Sequence, residues 1–191
     1  NCGACSSRCS LPGTATVMTL GAHIVLQRGE QRRRLPLDDF YTGYQKSRLE
    51  PGEFVAALEV PRAVPGQAVQ AYKLSKRHDS DISAVCTALS LRLEGERIAD
   101  VRLVFGGMAA TVQRAARAEA ALRGQAWTEA TLLAAQAALA QDFTPLTDMR
   151  ASAAYRQQAA ANLLRRFWLQ TRADAPLADA AVSVWAVEAA P

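Results

Sequence analysis

Long apolar runs are missing from this sequence. Nothing approaches the ~20 residues that a helix needs to cross a bilayer, and the longest candidates, such as residues 131–139, are short and alanine-rich. No membrane partner is expected. A secretory signal is missing as well, because Asn1-Cys2-Gly3-Ala4-Cys5 has no basic segment followed by an apolar one. A cytoplasmic location follows as the expectation, and the lack of an opening Met leads us to expect a fragment or a processed product. Histidine is scarce: there are two, and His78 has no Ser or Cys partner in the sequence that would make it a base for a nucleophile. No catalytic residue is assigned. No G-x-G-x-x-G run accompanies Gly106-Gly107, so that pair reads as a bend or a close backbone approach and not as a phosphate cradle.

Charge of one sign is not concentrated anywhere. The net charge is +4, yet the densest basic cluster, Arg32-Arg33-Arg34, is flanked by Glu30 and Asp38-Asp39. A nucleic-acid binder shows a coherent basic face interleaved with aromatics. The cluster reads instead as a charged hairpin edge guarded against sheet extension, and no nucleic-acid partner is expected. Of the four cysteines, Cys86 lies in a strand pattern and reads as a small buried hydrophobe. Cys2, Cys5 and Cys9 form C-x2-C-x3-C, three thiols that could serve zinc or an iron–sulfur cluster, but no fourth ligand lies near them. They stand as an alternative metal site, with no metal as the main expectation.

What the chain does contain is period-2 patterning followed by helical patterning. Residues 23–27 and 31–37 read as a hairpin around Arg28-Gly29-Glu30, with Pro36 ending the second strand. Residues 38–51 read as a polar connection in which Tyr41, Gly43, Tyr44 and Pro51 are loop residues, and 53–60 as a strand stopped by Pro61. Pro65-Gly66 marks a turn and a subdomain boundary. A strand over 69–75 leads into the polar run Lys76-Arg77-His78-Asp79-Ser80-Asp81. Val85, Thr87, Leu89, Leu91 and Leu93 then alternate with smaller or polar residues, the repeat of a half-buried strand, and 101–105 returns as its partner.

Helices follow. One is expected over 111–122, ended by Gly124, and a second from an N-cap at Thr128 to Gln141 with Leu132, Leu133 and Leu139 inward. The third covers about 152–170, with Tyr155, Ala159, Leu163 and Phe167 on its apolar row and Arg156, Arg165 and Arg166 facing water. The fold class is α+β, with an antiparallel sheet and helices gathered on one of its faces.

Five segments, in order, resemble the flavin-binding subunit of the xanthine dehydrogenase family of molybdenum hydroxylases. They are Leu20-Gly21-Ala22, Phe40-Tyr41-Thr42-Gly43-Tyr44-Gln45-Lys46-Ser47 before Pro51-Gly52-Glu53, the run from Tyr72 to Ser83, Gly106-Gly107-Met108-Ala109, and the closing helix from Ala154-Tyr155-Arg156 to Phe167-Trp168. The resemblance implies that residues 1–61 are the end of a flavin-binding α+β domain whose N-terminal half is absent. Residues 67–173 would be the family's small C-terminal flavoprotein domain, and 174–191 a loosely ordered tail. It implies FAD as cofactor, with iron–sulfur clusters and a molybdenum cofactor on other segments or subunits, a molybdenum-cofactor subunit as partner, and NAD as electron acceptor.

Residue by residue, the resemblance puts Lys73 against the flavin and Val55 where an aliphatic side chain covers the cofactor. It puts Tyr44 and the loop Lys76, Arg77, His78, Asp79, Ser80 and Asp81 on the face that nicotinamide approaches. On their own residues alone, Lys73 is a surface lysine at a strand end, Val55 a core strand residue and the loop a set of solvated charges. The family's Ser-Pro-x-x-Asp element before Leu-Gly-Ala is replaced here by Cys5-Ser6-Ser7-Arg8-Cys9-Ser10-Leu11-Pro12. That departure carries the alternative reading, a non-catalytic docking fragment that does not hold FAD by itself.

Overall fold

The structure, a computed structural model, describes residues 12–62, 64–77 and 82–182. It opens with α1 (Pro12–Thr19), followed by β1 (His23–Arg28), β2 (Gln31–Pro36), a 3-10 turn at Leu37–Asp39, β3 (Tyr41–Gly43), β4 (Lys46–Ser47) and β5 (Phe54–Glu59). After the linker come β6 (Gln67–Leu74), β7 (Val85–Glu94), β8 (Arg97–Gly106) and β9 (Gln113–Arg114). Three helices close the chain, α2 (Ala116–Leu122), α3 (Glu129–Asp142) and α4 (Ala153–Thr171), before a last 3-10 turn at Asp179–Val182. The architecture is α+β, with antiparallel sheets in the orders β2-β1-β5, β3-β4 and β6-β7-β8-β9.

The four-stranded sheet sits between two cores. Leu89, Leu103 and Phe105 point to one face, where α2, α3 and α4 supply Leu122, Leu132, Leu139, Leu164 and Phe167. Each large side chain removed from water there contributes about 1.5–3 kcal/mol. Cys86, Ala88 and Val104 point to the other face and pack with Ala15 and Met18 of α1 and with Ile24 and Leu26 of β1. The reading of β7 as half-buried is therefore corrected: its first seven residues are buried without alternation, because α1 covers the face that small residues line. Cys86 is buried, as its strand position suggested.

Helix α1 was not expected. It ends in a cap built on Leu20-Gly21-Ala22: Gly21 takes φ +75, its N–H donates to Met18 O, and the Ala22 N–H donates to Val17 O. Those two bonds are the paired closure of a Schellman motif, which needs a residue without Cβ strain at this position. The Arg102 side chain lies over Gly21, where a Cβ would come 3.3 Å from Nη2. Arg102 also lies 3.8 Å from the Asp38 carboxylate, which Arg114 approaches to 3.3 Å. Arg114 pairs in turn with Glu119, a buried carboxylate that also accepts the Leu103 N–H. The segment after the first hairpin and the four-stranded sheet are thus tied through charge as well as through the second core.

Other expectations shift by register or by face. The helix expected from Thr111 begins at Ala116, because Gln113–Arg114 pairs with Val104 and Phe105 as an edge strand. Tyr41 and Gly43 belong to the short strand β3. Thr128 does cap α3, accepting the Thr131 N–H, but Leu133 is 56 % exposed and faces away from the core that takes Leu132 and Leu139. On α4, Tyr155 is 51 % exposed and Arg156 is 4 % exposed, the reverse of the expected faces. The rest of the expected row, Ala159, Leu163 and Phe167, is buried, as are Ala160, Leu164 and Trp168 beside it, so only the first turn of the helix departs: the stripe begins at Arg156 and not at Tyr155. Pro65-Gly66 makes the expected turn, with Gly66 at φ +77 and the Gln67 N–H on Val64 O. In the segment after residue 173, Leu177 N donates to Leu169 O and Asp179 accepts from Gln170.

Gly107 closes this frame. It adopts φ +82, and a Cβ there would press on the Ala84 carbonyl oxygen and stand 3.0 Å from Arg156 Nη1. Gly95 also has a positive φ, +61, but open space around it. Gly107→Ala is expected to lower stability by about 2–5 kcal/mol, backbone strain and steric overlap together. Gly95→Ala should lower it by only about 1–2 kcal/mol. Urea unfolding of the two variants measures the difference, and equal losses would contradict the close approach.

Candidate functional site

The segment around Tyr44 is anchored before it is presented. Phe40 is buried in the second core and meets Tyr41 edge to face at 4.9 Å, and Arg48 N–H donates to Phe40 O. The pairing of Gly43 with Lys46 leaves Tyr44 and Gln45 as a two-residue turn, with Gln45 at φ 55, and Tyr44 stands 42 % exposed at its tip. There it lines a groove of about 810 Å³ together with Ser83, Gly107, Phe143, Asp148 and Arg156.

Strand β5 borders the sheet opposite β2. Arg33 of β2 reaches across β1 to Glu53, 2.6 and 2.7 Å to its two oxygens, and Arg34 reaches Glu59 at 2.6 Å. The outer strands are therefore strapped over the central one. All six residues of β5 are exposed, Phe54, Val55 and Leu58 among them. Val55 pairs with Leu26, so it shares the face that Leu26 buries in the second core, yet it remains 47 % exposed. The reading of Val55 as an ordinary core residue is corrected: its face continues the core, and nothing among the described residues covers it.

Lys73 lies near the end of β6, exposed, and pairs with Cys86. It therefore shares the face of Cys86 and Ala88, which also borders the second core. Register turns Lys73 and Val55, from different sheets, toward the layer that α1 occupies. Lys76 is exposed and its Nζ donates to Met149 O at 3.1 Å, which joins the start of the polar loop to the segment before α4. Arg77 is exposed at the end of that described stretch. His78, Asp79, Ser80 and Asp81 lie outside the described residues, as do Cys2, Cys5 and Cys9. Among the described residues no group of three His, Cys, Asp or Glu side chains could hold a metal ion, and no helix is long and apolar enough to cross a membrane.

Two residues of this region escaped the sequence reading. Arg156 sends Nη1 to the carbonyls of Ala84 and Gly107 and Nη2 to Asp148 at 2.8 Å. Burial alone would raise the Asp148 carboxyl, but the N–H groups of Arg150 and Ala151 and the Arg156 guanidinium more than offset it and hold its pKa below the ordinary value. The signal for Arg156 was its place on the 3.6-residue stripe; Asp148 had none beyond its neighbourhood of turn residues.

Residues 70–171 match the family described as the CO dehydrogenase flavoprotein C-terminal domain, which is more than half of the chain. The chain belongs to that family. Residues 13–63 match the FAD binding domain in molybdopterin dehydrogenase, so FAD is the cofactor of this flavoprotein family and its fold is the one described above. A xanthine dehydrogenase of Emericella nidulans is 41 % identical over 102 residues, 52 % of this chain and 8 % of that protein. The carbon monoxide dehydrogenase medium chain of Hydrogenophaga pseudoflava is 28 % identical over 152 residues, 80 % of this chain and 53 % of that one. A solved carbon monoxide dehydrogenase from Hydrogenophaga pseudoflava, one that lacks the Mo-pyranopterin moiety of its cofactor, superposes with a TM-score of 0.75 at 32 % identity. That match covers 81 % of this chain and 55 % of that one. The chain thus spans about half the length of the CO dehydrogenase medium chain and a small part of the xanthine dehydrogenase. FAD fits the residues present. Val55 and Leu58 form an apolar strip that needs a cover, and Lys73 supplies a cation on the neighbouring face.

The pH response of the β5 region follows from Glu53. The hydrogen bond from Arg33 and then the Glu50 N–H hold its pKa down at about 2. A carboxyl depressed in the fold stabilises above its unfolded pKa of about 4.3, and that contribution disappears as pH falls toward 2. The stability difference between the wild type and Glu53→Gln should be constant above about pH 5.5 and shrink between pH 4.5 and 2. Thermal melts across that range measure it; a pH-independent difference would contradict the ion pair.

Proposed function

We propose that this chain is the C-terminal part of the FAD subunit of a xanthine dehydrogenase-like molybdenum hydroxylase in the cytoplasm, docked on a subunit that carries the molybdenum cofactor. When bound, FAD supplies the redox chemistry that links iron–sulfur clusters on other segments to NAD. The observation that carries this reading is the pairing of two faces. Val55 is half exposed on a side that its neighbour Leu26 buries completely, and Lys73 stands on the adjoining sheet's facing side.

Val55 covers an apolar surface of the cofactor and keeps water from it. Lys73 holds negative charge on the phosphates or on the reduced ring, an attraction that grows as the site dries. Tyr44, at the tip of its turn, screens the side from which nicotinamide approaches, and Lys76 and Arg77 set the local potential there, with His78, Asp79, Ser80 and Asp81 assigned to the same loop. No side chain of this chain acts as acid or base on the hydroxylated substrate, which is handled by the partner subunit. A second reading, a docking module without FAD, is favoured by the six exposed residues of β5, which suit a covering polypeptide as well as a cofactor.

Titration of FAD into the purified protein separates the two. The flavoprotein keeps oxidised flavin absorption after desalting, bleaches with NADH, and gains about 2.7 kcal/mol of stability at a hundredfold excess over Kd. A docking module stays colourless and its melting temperature does not move. Within the flavoprotein reading, Lys73→Met should weaken FAD binding about tenfold to a hundredfold, the loss of one charge-assisted contact. Unchanged affinity in that variant would remove Lys73 from the site.

A further inference from the structure

The buried guanidinium of Arg156 lies where three stretches of chain converge. Its Nη1 donates to Ala84 O and to Gly107 O, the latter at 2.7 Å, and its Nη2 donates to Asp148 at 2.8 Å. Ala84 N–H in turn donates to Leu74 O at 2.7 Å, which closes the base of the connection that begins one residue after Lys73. Asp148 is fixed by Arg150 N–H at 2.8 Å and belongs to the segment whose Met149 carbonyl receives Lys76 Nζ at 3.1 Å. One cation thus holds both anchor points of Lys73 and Lys76, the base of their connection and the segment that Lys76 grips. A merely apolar filler would pack that corner without directing it, since carbonyls and a carboxylate are recognised by the fixed fork of a guanidinium. Its Nε has no hydrogen-bond partner among the described residues, so the site is built around the two terminal nitrogens.

We propose that Arg156 is a positioning residue for the flavin-facing cations: through Ala84 and Asp148 it sets where Lys73 and Lys76 stand, and so tunes the affinity for the flavin without touching it. This rests on the function proposed above. It goes further by assigning the geometry of the face to a residue on the opposite helical layer.

The test compares Arg156→Met, Arg156→Lys and Asp148→Asn with a control, Leu132→Ala. The control loses a buried side chain of α3 that belongs to the core and not to the loop. In the flavin-free protein, trypsin cleavage after Lys76 and Arg77 reports how firmly the connection is held. Cleavage should quicken about tenfold in Arg156→Met and Asp148→Asn and partly recover in Arg156→Lys, with the control unchanged at equal distance below its melting temperature. FAD affinity should fall in the same order, with the control again unchanged. Cleavage rates that follow melting temperature alone, the control included, overturn the proposal. Faster cleavage with unaltered FAD affinity overturns the tuning of the flavin. A wild-type protein that takes up no FAD overturns the function proposed above, and the cleavage comparison then decides the loop-holding role by itself.

Discussion

Strand β7 is hydrogen-bonded on both edges and shielded on both faces, and that double enclosure is the constraint on which the rest of the molecule is built. Leu89 and Leu91 on one side recruit α2, α3 and α4, while Cys86 and Ala88 on the other admit α1 and the first hairpin. Small residues on the second face matter as much as large ones on the first, because only short side chains let a helix and a sheet approach closely. The chain is consequently one object, even though its two family matches divide it near the Pro65-Gly66 turn. Two buried hydroxyls at the junction are partnered, Thr19 donating to Ala88 O at 2.8 Å and Thr87 to Val104 O at 2.6 Å, whereas Ser90 Oγ on the Ala88 face has no partner among the described residues. An unpartnered hydroxyl in the same position would destabilise by a few kcal/mol.

Most of the scaffold was readable in the amino-acid order. The strand patterns of β7 and β8, the turns at Gly29 and Gly66, and the cap Thr128 are local signals, and they mark these elements correctly even though β7 proved buried on both faces. Helix α1 was not readable, since Pro12-Gly13 at its start resembles a turn and its apolar residues Ala15 and Met18 become meaningful only once a sheet lies over them. The burial of Arg156 ran against the usual exposure of arginine, and only its three acceptors, two of them distant in sequence, explain it. For the candidate site, Lys73, Val55 and Tyr44 were named through family resemblance. Their orientation depends on cross-strand register and on a bulge between Val25 and Leu26, which no single-sequence pattern reveals.

Many of the charged side chains form short-range pairs in the folded chain, while the excess of four positive charges remains. Arg33 and Arg34 are matched to Glu53 and Glu59, Arg114 to Glu119 and Asp38, and Arg150 and Arg156 to Asp148. Two of these sets link separate elements: one spans the outer strands across β1, with Arg33–Glu53 its less exposed member, and one joins the segment after the first hairpin to the four-stranded sheet. Exposed pairs elsewhere, such as Arg165 with Glu129, contribute at most about 1 kcal/mol.

Among the described residues the flank of β5 is bare, and this has a consequence for how the chain behaves in solution. Its outer row of amide and carbonyl groups, with Phe54, Val55 and Leu58 alongside, is a template onto which any extended segment can add a further rung. Two molecules meeting there would zip together, and Glu53 and Glu59 at the strand's ends oppose this only partly, since each is already neutralised by an arginine. Concentrated samples should therefore self-associate through this flank, and whatever caps it, protein or cofactor, doubles as a guard against aggregation.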